Sequence, residues 1–245
     1  MKYIQSLQRA FDVLEFISDC PEEPRALGDI ARGTGLHPAT CSHLVNTMAE
    51  RGYLHQAGAR KGYQLGPMAY YLVRNGAFRR DLVDRAEPLL REAAEALQEW
   101  VVLAAMAGTR RMVLLETSGA RGNVQLDPQA VKLAEGVYNA ASTWVFLAHM
   151  EDVAREQFVA RNGLPSGHDS IASLEAPLER VRQEGHAIYE DSAGEVAKVA
   201  CPVVEKGVVT AAVGVYLPAF RFKGEHRAAI LAETARIAKA LSKEG

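Results

Sequence analysis

Apolar positions recur along this chain at two different periods, and the change near Val101 divides it. Before that point the steps are of three and four residues, the signature of helices buried along one face. Ile4, Leu7, Phe11, Leu14 and Ile17 form one such stripe and predict a helix from Tyr3 to Ser18. Pro21 and Pro24 break it. Leu27, Ile30 and Ala31 mark a short second helix that stops at Gly33-Thr34-Gly35, where glycine supplies a left-handed exit. A third helix runs from Pro38, a favoured first-turn residue, to Arg51. Cys41, Leu44, Val45 and Met48 face its core side, and Ala39, Thr40, His43, Asn46 and Thr47 the other. Two short strands, Tyr53 to Gln56 and Tyr63 to Leu65, then flank a Gly-rich tip carrying Arg60 and Lys61, a β-hairpin.

After Gly66, Pro67 to Phe78 reads as a helix rich in apolar residues, with Met68, Tyr70, Tyr71, Leu72 and Val73 close together. Asp81 to Trp100 is a long amphipathic helix containing Pro88. The period then shortens. Strands are predicted at Val101 to Ala107 and Met112 to Thr117, joined by a turn over Gly108 to Arg111. Helices follow at Ser142 to His149, Asp152 to Arg161 and Leu174 to Gly185. Strand-like stretches then occupy His186 to Glu190, Val196 to Glu205 and Val208 to Leu217, before a last helix at Glu225 to Leu241. Three helices and a hairpin make a winged helix-turn-helix whose third helix enters a major groove. The remainder predicts an antiparallel sheet with packed helices, so the fold class is α+β.

Composition narrows the function. A net charge of −2 over 245 residues excludes a protein that coats nucleic acid through overall basicity, but allows a specific reader with one basic face. No apolar run of about 18 residues and no secretory leader at the N-terminus are evident, which points to the cytoplasm and away from membranes. Cys20, Cys41 and Cys201 are too far apart for a metal knuckle or a disulfide framework. His37 and Cys41 have metal-compatible spacing, yet Cys41 completes an apolar stripe and no further ligand lies nearby, so no metal site is assigned. The phosphate-binding glycine patterns of dinucleotide and P-loop proteins are absent, and no cofactor is implied. Catalytic sets can be drawn on paper from Ser142, His149 and Asp191, or from Cys201 and His186, but no G-x-S-x-G elbow supports them.

The stretch RALGDIARGTGLHPATCSHLVNTMAERGYLHQ, with GYQLGP beyond it, resembles the DNA-binding domain of the IclR family of bacterial transcriptional regulators. The resemblance continues through ACPVVEKGVVTAAVGVYLPAFRF to the final helix. It implies a winged helix-turn-helix over residues 1–66, a linker helix over 67–80 and a GAF/PAS-like effector-binding domain over 81–245. It also implies a homodimer or dimer of dimers on double-stranded operator DNA, and repression of a catabolic operon. The competing reading is an enzyme or sensor that uses the C-terminal pocket without regulating DNA.

On the third helix and just before it, His37, Ala39, Thr40, Ser42, His43 and Asn46 suit base edges or phosphates. Arg60 and Lys61 at the wing tip, with Arg32 and Arg51, suit backbone positioning. Thr40 and His43 match the family pattern, whereas Pro38 and Ala39 replace its common Lys-Ser. For the effector the resemblance selects Tyr138, Asn139, Ala140, Ala141 and Ser142, then Glu190, Asp191, Lys198, Gly214 and Tyr216. The family often has cysteine in place of Lys198, serines in place of Gly214 and Tyr216, and a His-Cys-Thr-like run over 138–142. Lys198, in a strand between Ala197 and Val199, must meet an acid or a ligand anion if buried; the sequence leaves Glu190, Asp191 or a carboxylate effector as partner. Tyr216 and Trp144 would add aromatic walls and favour a larger or aromatic carboxylate. Replacing Arg60 and Lys61 by alanine is expected to weaken DNA binding and flatten its salt dependence by about one unit of slope per lost phosphate contact. Titrations at two salt concentrations measure this, and unchanged slopes would support a reading without DNA.

Overall fold

The computed structural model describes residues 4–19, 23–58, 61–75, 79–119, 136–191 and 193–243. The chain forms two compact units, residues 1–79 and 80–245.

In the first unit, α1 (Gln5–Ser18), α2 (Leu27–Gly33) and α3 (Pro38–Glu50) precede a hairpin of β1 (Leu54–Gln56) and β2 (Tyr63–Leu65), and α4 (Pro67–Asn75) follows. Val13, Ile17, Ile30, Cys41, Val45, Met48 and Leu54 form its core. The α1 stripe corrects the sequence expectation. Val13 and Ile17 are buried, while Ile4, Leu7 and Phe11 are 69%, 51% and 52% exposed. A helix of this length outruns the small core beneath it, and the N-terminal half keeps its apolar face on the surface. The same holds for Tyr70, Tyr71, Leu72 and Val73 on α4, all more than half exposed. Arg25 bridges Tyr63 through paired backbone hydrogen bonds of 2.8 Å, adding a third short edge to the hairpin.

The second unit opens with α5 (Arg80–Leu97), which carries Pro88 within it, and a hairpin of β3 (Trp100–Ala107) and β4 (Arg110–Ser118). The turn is only Gly108-Thr109, so Arg110 and Arg111 belong to β4 and not to the loop expected from the sequence. After a 3₁₀ turn at Val137–Asn139 come α6 (Ala141–His149), α7 (Asp152–Asn162) and α8 (Glu175–Glu184). The strands β5 (Ala187–Glu190), β6 (Val196–Glu205) and β7 (Val208–Pro218) and the helix α9 (Gly224–Leu241) complete it. The five strands form one antiparallel sheet in the order β4-β3-β7-β6-β5. Alternate side chains go to opposite faces. Val101, Leu103, Val199, Cys201, Val213 and Val215 pack against α5 and α9. Ala104, Ala200 and Ala212 meet α6 and its neighbours on the other face.

A β-bulge sets the chemistry of that second face. Leu103 pairs with Leu115 but Ala104 with Val113, leaving Leu114 as an extra residue. An inserted residue reverses the in-out alternation of its strand. Arg111 and Val113 before the bulge, and Glu116 after it, therefore share the face of Met106, Ala104 and Val102.

Gly62 tests the head. Its φ is +93°, and a Cβ there would lie 2.6 Å from the Arg25 carbonyl oxygen. Gly62→Ala is expected to destabilise the first unit by at least about 1 kcal/mol and to lower DNA affinity, leaving the unfolding of the second unit unchanged. Denaturation followed by a probe in each unit checks this.

Candidate DNA-binding and effector sites

Helix α3 starts at His37, whose Nδ1 accepts a hydrogen bond from the Ala39 N–H at 3.3 Å. His37 thereby caps the helix while staying exposed, a role the sequence reading did not anticipate. Ala39, His43 and Asn46 recur at helical spacing on the exposed side, opposite Cys41, Val45 and Met48. Thr40 and Ser42 flank this surface and are half-buried. Arg32 is exposed at the end of α2 and pairs with Asp29 at 3.2 Å, a weak surface contact that phosphate can replace. Lys61 is exposed beside the wing tip; Arg60 lies outside the described residues. The Cys41 thiol is buried and points to the Leu27 carbonyl at 3.9 Å, which rules it out as a partner of His37 in a metal site.

The second unit holds a cavity of about 50 Å³ on the open part of its sheet. That is several times the space one water needs. Val102, Val113, Ala200 and Gly214, with the strand backbone at Val199 and Val215, form the apolar wall, Ala140, Ala141 and Ser142 the start of α6, and Arg111, Glu116, Lys198 and Tyr216 the polar wall. A Cβ at position 214 would lie 3.0 Å from the Val199 carbonyl oxygen, so a residue larger than Gly214 would push into the neighbouring strand. Tyr216 donates a hydrogen bond to Glu116 Oε1 at 2.6 Å. Its ring stacks on Trp100 with centroids 5.7 Å apart.

Lys198 is almost fully buried and donates to the Asn139 carbonyl at 2.9 Å. Its ammonium lies 5.6 Å above the centre of the Tyr189 ring. Burial, and then the positive charge of Arg111, bring its pKa down to about 8. Burial also lowers the pKa of Arg111, and the Glu116 carboxylate opposes that shift. Two cations and one carboxylate thus share a small, largely apolar hollow.

Two regions of the chain match family models. Residues 6–58 match the IclR helix-turn-helix domain, and residues 77–243 match the bacterial transcriptional regulator IclR C-terminal domain. The chain belongs to the IclR family. It is a DNA-binding transcriptional regulator with an effector domain, and not an enzyme. Against the regulator BhcR of Paracoccus denitrificans it is 25% identical over 98% of this chain and 86% of that one. Against TtgV of Pseudomonas putida it is 31% identical, but over only 45% of this chain and 42% of that protein. An IclR homologue of Microbacterium hydrocarbonoxydans, solved with 4-hydroxybenzoate, superposes with a TM-score of 0.71 at 21% identity, covering 96% of this chain and 98% of that one.

Within this IclR chain the expected effector residues separate into three groups. Ala140, Ala141, Ser142, Lys198, Gly214 and Tyr216 converge on the cavity. Tyr138, Asn139 and Trp144 sit behind it: the Tyr138 hydroxyl donates to the Gly163 carbonyl, and the Trp144 indole donates to the Tyr138 carbonyl at 2.9 Å. Asn139 contributes its backbone oxygen to Lys198. Glu190 and Asp191 do not line this cavity. Tyr189, and not Glu190, stands opposite Lys198 in the sheet, and Glu190 faces Ala197. Asp191 closes the following turn, accepting from the backbone N–H groups of Glu195 and Val196 at 2.7 and 3.1 Å. The pocket acid is instead Glu116, and its second cation Arg111; the sequence signal available was the charged Arg-Arg and Glu pair in an otherwise apolar hairpin.

The paper catalytic sets do not assemble. His149 bonds the Val145 carbonyl of its own helix at 2.9 Å, and His186 lies beside Glu184. Cys201 faces the opposite side of the sheet from the cavity, and burial raises its pKa to about 11, leaving an inert thiol. Among the described residues no cluster of potential ligands suits a metal ion, and no helix is long and apolar enough to cross a membrane.

Because Lys198 titrates near 8 when folded and near 10.5 otherwise, the unfolded chain binds more protons between those values. Stability therefore rises with pH across that window, and below pH 8 the burial penalty is fully present. Lys198→Met is expected to stabilise the second unit at neutral pH, with its advantage shrinking as the pH rises from 8 towards 10.5. Urea unfolding of both proteins across that range reads the difference.

Proposed function

We propose that this regulator is a cytoplasmic repressor that releases its operator when the C-terminal cavity takes up a small organic acid. The observation that carries the reading is the pairing of Lys198 and Arg111 in one hollow with a single carboxylate, Glu116. A ligand carboxylate in the cavity is attracted by the two cations and lies next to the first turn of α6, where backbone N–H groups add favourable dipole. Glu116 and Tyr216, already hydrogen-bonded to each other, put acceptor and hydroxyl groups on the same wall, which suits a ligand that carries a hydroxyl besides its carboxylate. The 4-hydroxybenzoate bound by the Microbacterium homologue combines a carboxylate and a hydroxyl in this way, and an aromatic hydroxy acid is accordingly the favoured effector class.

DNA is read by the exposed face of α3, with Ala39, His43 and Asn46 at its centre and Thr40, Ser42 and the capping His37 beside them. Arg32, Arg60 and Lys61 position the phosphates. The exposed apolar faces of α1 and α4 support a homodimer, because Ile4, Leu7, Phe11, Tyr70, Tyr71, Leu72 and Val73 leave water when a second copy covers them. A dimer presents two α3 helices to half-sites about 34 Å apart or a multiple of it. Residues 67–80 act as the linker between head and effector domain. Ligand preference for one arrangement of the heads then shifts a two-state equilibrium, with coupling of about 1–3 kcal/mol.

Fluorescence anisotropy on the upstream intergenic DNA, against scrambled DNA at two salt concentrations, tests this. Sequence-preferring binding is expected, weakened about tenfold or more by 4-hydroxybenzoate, in line with that coupling. Lys198→Gln and Arg111→Gln are expected to keep DNA affinity and lose the response to the acid. Equal binding to both DNAs, or a response unaffected by both substitutions, would overturn the proposal.

A further inference from the structure

In the first unit Arg25 is a half-buried arginine whose guanidinium has no acceptor. Among the described residues it makes no side-chain hydrogen bond or ion pair, and its Nε–H is enclosed away from water. The side chain is nevertheless held in place. It lies over the Phe16 ring with Cζ 5.5 Å from the centroid, a contact that leaves the terminal N–H groups free to donate. The last residue of α2, Gly33, meets the same ring, and a Cβ there would run into it. The Arg25 backbone is fixed by its paired hydrogen bonds with Tyr63, and Gly62 lacks the Cβ that would strike the Arg25 carbonyl. Two glycines and an aromatic ring thus place a cation that nothing in the described head neutralises. A buried donor left unmade costs stability, and an acceptor arriving from outside the chain accounts for its retention.

We propose that Arg25 binds a phosphate of the operator backbone beside the wing. Tyr63 opens β2, directly after the tip residues Lys61 and Gly62, so the bridge puts Arg25 at the tip-facing end of the hairpin. Along the chain it stands two residues before α2. Arg25 therefore joins the wing to the helix-turn-helix. An arginine stacked on its own domain has little reach left for a groove floor, whereas phosphates lie at the DNA surface and accept two parallel bonds from its planar fork. The assignment rests on the reading that α3 and the wing face DNA, and it adds a contact of a different kind from the neighbouring cations. Arg32 must leave Asp29 to reach a phosphate, while Arg25 has no ion pair to break and is already placed.

The test uses the full chain and its upstream intergenic DNA, with scrambled DNA beside it, in anisotropy titrations across a salt series. Arg25→Gln is expected to bind both DNAs about tenfold more weakly, the worth of one charge-assisted hydrogen bond. Its salt dependence should be shallower by about one unit of slope. Arg25→Lys keeps the charge without the fork, and should recover the slope but only part of the affinity. Phe16→Leu removes the platform and should weaken binding with the slope unchanged. Arg25→Met keeps an apolar stem over Phe16; a melting temperature matching the wild type shows that its weak binding is no folding defect. Single neutral methylphosphonates placed along the DNA locate the contact. One of them should weaken the wild type about tenfold and leave Arg25→Gln unaffected, because the two changes remove the same bond.

Full affinity and an unchanged salt slope in Arg25→Gln would overturn the assignment. So would a loss confined to the upstream DNA, which marks a base contact, or a loss that comes with a changed oligomeric mass, which marks a contact between copies. His43→Ala and Asn46→Ala separate it from the reading beneath it. If they abolish the preference for upstream DNA while Arg25→Gln binds like the wild type, the phosphate assignment alone falls. If the wild type binds neither DNA, or none of the head variants alters binding, both fall.

Discussion

An ammonium group buried on the face of an antiparallel sheet has to be met by polar atoms, because the backbone groups of the strands are already committed to the ladder. The second unit is organised around that demand at Lys198. One oxygen that meets it is the carbonyl of Asn139, at the end of a 3₁₀ turn, and the turn is fixed from three sides. Thr143 donates to the Val137 carbonyl at 2.7 Å, the Trp144 indole to that of Tyr138 at 2.9 Å, and the Tyr138 hydroxyl to that of Gly163. Residues that look like ligand contacts in the sequence are thus the supports of a single oxygen. Loosening any of them moves the oxygen that holds the amine, and with it the charge balance of the cavity.

The other half of that balance comes from the bulge in β4. Regular alternation would send Glu116 and Arg111 to opposite faces of the sheet. One extra residue, Leu114, brings both to the cavity and lets Leu114 and Leu115 pack together on the covered side. The apolar face and the polar face are therefore consequences of the same local irregularity. Their separation leaves a site with fixed positive charge in a region poor in water, where electrostatic contacts are stronger than at the surface.

Much of the architecture was legible in the apolar periods: the three helices and hairpin of the head, the long α5, the last three strands and α9 all follow from them. Local patterns carry that information because each element buries its own stripe. What was not legible depends on pairing between distant strands. Glu190 is close to Lys198 in any alternation argument, yet register puts Tyr189 opposite it. Glu116 is hidden by a bulge that no short-range signal announces. Trp144 lies on the first helix after the cavity but turns its indole to Tyr138. On α1, Ile4, Leu7 and Phe11 continue the stripe of Ile17 perfectly in spacing, but the core of one copy ends before it reaches them. Periodicity reports which side of a helix is apolar, and only packing decides what covers it.

The central claim is that Lys198 and Arg111 attract the carboxylate of an organic acid into the cavity. Calorimetric titration of 4-hydroxybenzoate into the full chain at pH 8, repeated in buffers of different ionisation enthalpy, addresses it most directly. Lys198 is about half protonated at that pH, and a bound carboxylate raises its proton affinity. Up to about half a proton taken up per site is the predicted result, falling to none in Lys198→Met. Binding with the same heat in every buffer, and the same in the variant, would contradict the claim.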